Sequence, residues 1–254
     1  PGIALGFGFF LSGLGGILGV HRSINTDRLR DGVKAGTIQS ILFPTNIIAN
    51  ISKIISDVKE VFPIKRDQFV IGPMAAITWG VPTIVRVDLG IAIEVDNPVK
   101  LAILGVLRVI LPDESAALIK IQVAFLGLID FEKGMLSFDA SLFDSKVLTF
   151  GLEGDMALRL SWGEKKDFVL SVGGFHPSFT PPTYLGIGSM KRLTLKILSG
   201  NPRLTLSTYF AVTTNTVQFG AGIDFYFGVA GFKIVGEFGF DVLFQFSPFR
   251  FIAD

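Results

Sequence analysis

The stretch from Thr216 to Phe251 constrains this chain most, because its apolar residues recur at every second position. Val217, Phe219, Ala221, Ile223, Phe225, Phe227 and Val229 alternate with Gln218, Gly220, Gly222, Asp224, Tyr226 and Gly228. The alternation slips by one residue at Ala230-Gly231, then resumes with Phe232, Ile234, Phe238, Phe240, Val242, Phe244 and Phe246. A strand sends successive side chains to opposite faces, whereas a helix repeats about every 3.6 residues. Inside one strand a slip of one residue would exchange the faces, so Ala230-Gly231 reads as a turn between two long strands. Together they present one face of Phe, Ile and Val and another of glycine and charge.

The same pattern recurs upstream. Val85, Val87, Leu89, Ile91, Ile93 and Val95 alternate with Arg86, Asp88, Gly90, Ala92 and Glu94, and Asp96-Asn97-Pro98 predicts a turn. Further strands are predicted over 99–111, 119–131, 136–142, 148–162, 168–172, 193–197 and 204–212, with Glu132-Lys133-Gly134 and Thr214-Asn215 as hairpin turns. Three prolines exclude a regular strand over Phe175–Pro182. Residues 1–20 carry no charge, but seven glycines make a poor membrane-spanning helix there. Ile3, Leu5, Phe7, Phe9 and Leu11 alternate instead, predicting a strand followed by a glycine loop.

One region departs from period two. Thr26 or Asp27 can cap a short helix carrying Leu29 and Val33, with Gly36 near its end. Asn46 can cap a second helix over residues 46–62, in which Ile47, Ile51, Ile54, Val58 and Val61 lie three or four positions apart. Residues 26–62 are expected to be a two-helix insert whose Ile stripe covers the sheet, within one β-rich domain over 1–254. The chain opens at Pro1 inside an apolar run and reads as a fragment of a longer protein.

Chemistry-bearing motifs are sparse. There is no Cys, which excludes disulfides, thiolate metal sites and a Cys nucleophile. His21 and His176 lack metal-pair spacing, and no G-x-S-x-G, P-loop or dinucleotide fingerprint occurs. Asp130 with Glu132, and Asp139 with Asp144, read as solvated charges near hairpin ends. The net charge is +1, and the aromatics lie apart from Lys and Arg, so nucleic acid is not an expected partner. We expect no catalytic residue, no metal and no cofactor.

Several short motifs point to a family. Leu42-Phe43-Pro44, Gly72-Pro73-Met74 with Trp79-Gly80, Gly173-Gly174-Phe175-His176-Pro177, Asn215-Thr216-Val217-Gln218-Phe219 and Gly239-Phe240-Asp241 resemble the terminal β-rich module of very large bacterial proteins, a domain of unknown function. The likeness runs from about Gly13 to Phe251. It implies further domains in the same long chain and transfers no functional residue.

The fold expected is mainly β: a long-stranded antiparallel meander of about twelve strands, curled into a groove or half-barrel, or closed as a sandwich. Hydrophobic residues are 49% of the chain and Phe numbers 25 against 3 Tyr and 2 Trp, too few of the latter for the girdles of an outer-membrane barrel. The preferred reading is a non-enzymatic hydrophobic groove that binds or conducts lipid acyl chains, in the cell envelope or outside the cell. Its lining would be Phe219, Ile223, Phe225, Phe227, Phe232, Phe238, Phe240, Phe244 and Phe246. The alternatives are a scaffold module with a dry core and an outer-membrane β-barrel.

Overall fold

The computed structural model describes residues 2–35, 37–44, 46–95 and 99–254. The expected turn at Asp96-Asn97-Pro98 and the helix end at Gly36 lie outside them. Fourteen strands form one antiparallel sheet. In chain order they are β1 (Ile3–Gly6), β2 (Phe9–Arg22), β3 (Ile64–Trp79), β4 (Val85–Val95), β5 (Lys100–Leu111), β6 (Ile119–Asp130) and β7 (Met135–Val147). There follow β8 (Phe150–Ser161), β9 (Asp167–Val172), β10 (Leu193–Ser199), β11 (Arg203–Thr213), β12 (Thr216–Val229), β13 (Phe232–Phe246) and β14 (Phe249–Ala253). The sheet is a meander from β1 to β14, except that β9 and β10 lie in tandem in one strand position between β8 and β11. Its two ends do not pair with each other, so no closed barrel forms.

Local chemistry accounts for most junctions. Gly134 turns β6 into β7 with φ +60°, the left-handed conformation glycine adopts freely. Asp130 Oδ1 accepts the Lys133 amide at 3.0 Å and tightens the same turn. The slip at Ala230-Gly231 is the β12–β13 turn, and the pairing beyond it runs unbroken from Val229↔Phe232 to Thr216↔Gln245.

The expected glycine loop after the first strand is instead part of β2. The glycines there clear space. A Cβ at Gly13 would lie 3.3 Å from both Phe43 and Ala76, because the helical layer approaches closely.

Three helices lie between β2 and β3: α1 (Thr26–Ala35), α2 (Ile38–Leu42) and α3 (Ile47–Val61). The start of α1 is held by Asn25, whose Oδ1 accepts the Arg28 amide at 3.1 Å, rather than by Thr26 or Asp27. Asn46 precedes α3 with φ 50° and makes no capping bond through its side chain. The helix that covers the sheet is not the Ile-striped one. Leu29, Val33, Ile38, Ile41 and Leu42 of α1 and α2 pack on Val70, Met74, Ala92, Ala102, Leu104, Ala124 and Leu126. In α3 only Val61 is buried, while Ile47, Ile48, Ile51 and Ile55 are exposed.

The larger correction concerns which face is inside. The helices pack on the face of small and polar residues, not on the bulky apolar one. A Cβ at Gly90 would strike Leu42 Cδ2 at 2.6 Å, so α2 depends on the missing side chain. Apart from Ala140, every buried apolar residue of the strands lies on this covered face.

A bare apolar face

Burial of so many polar groups has to be compensated, and ion pairs do this beneath the cover. Arg159, fully buried, donates from Nη2 to Asp139 Oδ1 at 2.8 Å and from Nε to the Leu185 carbonyl at 2.8 Å. Burial pulls the Arg159 guanidinium below its ordinary value, and the Asp139 carboxylate opposes that shift. Arg30 of α1 reaches the other oxygen of Asp139 at 3.2 Å. Asp139 is thus an interior anchor, not the solvated turn charge its position suggested. Asp88 is held by Arg86 at 2.8 Å and by Arg108. Glu94, 1% exposed, accepts the Ile24 amide at 2.8 Å. The segment 173–192 between β9 and β10 folds over the same face. Asp155 accepts the Lys191 amide at 2.8 Å, and Gln218 accepts the His176 amide at 2.9 Å. His176 is buried and its Nδ1 accepts the Ser178 amide, which makes it a packed loop residue.

The opposite face has no such chemistry. Outward positions of the ladders in β4, β5, β6, β8, β11, β12 and β13 hold no Asp, Glu, Lys or Arg; Thr208 is the polar exception. Cross-strand pairs tile it without a break, from Ile71↔Ile93 and Ile91↔Ile103 through Leu107↔Val123 and Phe138↔Leu158 to Leu206↔Ile223 and Ile223↔Phe238. Apart from Gly105, Ala140 and Gly154, its residues are half-buried by one another or exposed. Among the described residues no second layer lies over it.

All nine residues predicted as a lining share this outward face, since the β12–β13 register brings odd positions of one strand opposite even positions of the other. Phe219 meets Phe240 edge-on with ring centroids 6.5 Å apart. Phe225 lies opposite Gly236, Phe227 opposite Ile234 and Phe232 opposite Val229. Phe244 packs on Phe251 at 4.8 Å and Phe246 pairs with Phe249. Phe238 is the most open of the nine at 74% exposed. Ile223, Phe238 and Phe240 also border a shallow concavity of about 490 Å³, completed by Leu152, Leu193, Leu195 and Leu206. Sequence reasoning missed Leu152, Leu193 and Leu195 because β8 and β10 reach the neighbourhood of β12, across β11, only through the tandem β9–β10 position.

Other chemistry is thin. Among the described residues no cluster of three or more His, Cys, Asp or Glu could hold a metal, and no helix is long and apolar enough to cross a membrane.

The fold and its two faces define a class: an open, mainly β module with a covered, ion-paired face and a bare apolar one. A family model for DUF6603, a family of unknown function, matches residues 1–254, and the chain belongs to that family. No curated protein and no solved structure matches it.

Proposed function

We propose that this protein is a non-enzymatic lipid-binding module whose outward apolar face takes acyl chains. The observation that carries the reading is the charge-free outward face, continuous across the sheet and left bare. A monomeric soluble protein rarely exposes an apolar patch beyond a few hundred Å² without a ligand or partner. Each methylene buried on such a face contributes about 0.8 kcal/mol, so a long chain binds without a polar anchor. With no charged group at the outward positions of those seven strands, selection among head groups should be weak. The concavity beside Leu193, Leu195 and Phe240 falls within the roughly 300–1,000 Å³ of ordinary ligand pockets and offers a first seat in a hydrophobic groove. In keeping with the resemblance in its sequence, the module would act within a longer chain or assembly.

The test is native mass spectrometry with lipid extraction. The parent protein should carry phospholipid or fatty acid through purification. Phe225→Glu combined with Phe240→Glu should remove it while the circular dichroism spectrum stays that of the parent. A parent protein that purifies monodisperse, lipid-free and without detergent would sink the lipid reading and favour a scaffold whose apolar face meets another protein layer.

A further inference from the structure

Among the described residues, each end of the sheet is only partly paired. At one end β14 pairs only with Val242–Phe246 of β13, leaving residues 232–240 as an open edge. At the other end β1 pairs only with Phe9–Leu11 of β2, leaving residues 13–22 open. Neither open stretch contains proline, and both carry large exposed side chains: Phe232, Val235 and Phe238 on β13, Leu14, Leu18 and Val20 on β2. Natural edge strands of this length are normally blunted by proline, charge, a bulge or a cover; here the β13 stretch carries the charges Lys233 and Glu237, both on the face opposite Phe232 and Phe238, and residues 13–20 of β2 carry none.

The halves are complementary. Because pairing alternates throughout, β2 and β13 run in one direction, and β1 and β14 both run in the other. β14 lies beside the end of β13 that adjoins the β11–β12 turn, whereas β1 lies at the opposite end of the sheet, beside the start of β2. A single strand position could therefore hold β14 in one half and β1 in the other, each antiparallel to the open edge it would meet. The sheet already contains this arrangement, since β9 and β10 share the position between β8 and β11. We propose that a second copy of this chain joins here edge to edge, with β14 of one copy and β1 of the next filling one strand position. Outward positions on both edges are apolar, so the bare face would continue across the junction. The contact is head-to-tail, and it builds rings or filaments according to the rotation per copy.

The backbone names the groups involved. Asp241 exchanges hydrogen bonds with Asp254 at 3.1 and 3.0 Å, so its amide points toward β14. By the two-residue period, the amides of Gly239, Glu237, Val235 and Lys233 point out of the same open edge. Val235→Pro removes one of these donors without touching the β12–β13 ladder or the outward apolar face. Sedimentation velocity across a concentration series should show the parent associating, and Val235→Pro should weaken this by roughly tenfold or more, the scale of one or two lost hydrogen bonds. The chain has no Cys, so single cysteines report cleanly. A mixture of Phe249→Cys and Leu18→Cys chains, treated with a short bis-maleimide, should yield a crosslinked heterodimer. A parent that stays monomeric at every concentration overturns the proposal. So does a chain carrying both cysteines that crosslinks only within itself, because the sheet would then close on its own edges. Association unchanged by Val235→Pro also overturns it and assigns self-association to the apolar face. Lipid content is read separately, so failure of this junction leaves the lipid reading standing.

Discussion

The assignment of inside and outside can be tested by comparing Phe238→Thr with Leu126→Ala. Thr, like Phe, is a residue that strands favour, so the first change reports side-chain burial rather than strand propensity. Phe238 is 74% exposed, leaving about a quarter of its surface buried. Full burial of a Phe is worth about 1.5–3 kcal/mol, so the loss should stay below roughly 1 kcal/mol. Leu126 is 0% exposed beneath the helical layer, and truncation of such a leucine costs about 2–5 kcal/mol. For a chain of this length each kcal/mol moves the melting temperature by roughly 2–4 °C. Differential scanning fluorimetry in lipid-free buffer should therefore show a fall of roughly 4–20 °C for Leu126→Ala and no more than about 4 °C for Phe238→Thr. Equal falls would refute the reasoning, because Phe238 could then be no surface residue, and an unseen layer would have to cover the Phe face.

Arg159→Met should destabilise by about 3–5 kcal/mol in chemical denaturation, since it strands a buried Asp139 carboxylate with Arg30 alone; adding Asp139→Asn should recover part of the loss, and a neutral single substitution would contradict the anchor role. Gly220→Ala would set a Cβ 2.4 Å from the Tyr209 ring and 2.7 Å from the Phe240 carbonyl, for a loss of about 1–3 kcal/mol, whereas Gly236→Ala, with 3.8 Å to its nearest neighbour, should melt close to the parent. Burial alone would raise the Asp167 pKa, but hydrogen bonds from Thr214, Tyr184 and the Phe168 amide outweigh it and hold the carboxyl below its ordinary 3.8. Its contribution to stability is therefore present above pH 3.8 and fades as pH falls further, so Asp167→Asn should flatten the acid limb of melting temperature against pH. Tyr184 is pushed up to about 12, chiefly by its hydrogen bond to Asp167, so its contribution holds below pH 10 and fades as pH rises through 12; ultraviolet titration of Asp167→Asn should show one tyrosine returning toward 10.

Period-two alternation determined most of the strands and which side chains share a face, because these follow from backbone geometry alone; it did not set every length, since the glycine loop expected after Leu11 is part of β2. It placed the β12–β13 turn at Ala230-Gly231 and put all nine Phe and Ile residues on one side of the sheet before any contact was known. Two of the three helices were legible from their own period, and α3 fell within the expected residues, whereas the five-residue α2 is too short to show a period. What alternation leaves undetermined is which face is covered, since either face of a two-sided pattern can meet another layer. Only tertiary packing decided that α1 and α2 dock on the face of Gly90, Ala92, Ala102 and Ala124, where missing side chains let helices approach. Those small residues were a visible signal that bulk elsewhere obscured. The ion pairs of Arg159 with Asp139 and of Arg108 with Asp88 were out of reach for a related reason: each joins residues about twenty positions apart, and their worth depends on exclusion of water by the cover. The tandem placement of β9 and β10, and the half-covered edges at β2 and β13, depend on pairings across long intervals of chain. A single strand's sequence carries no record of its neighbour, so those features exist only in the assembled sheet.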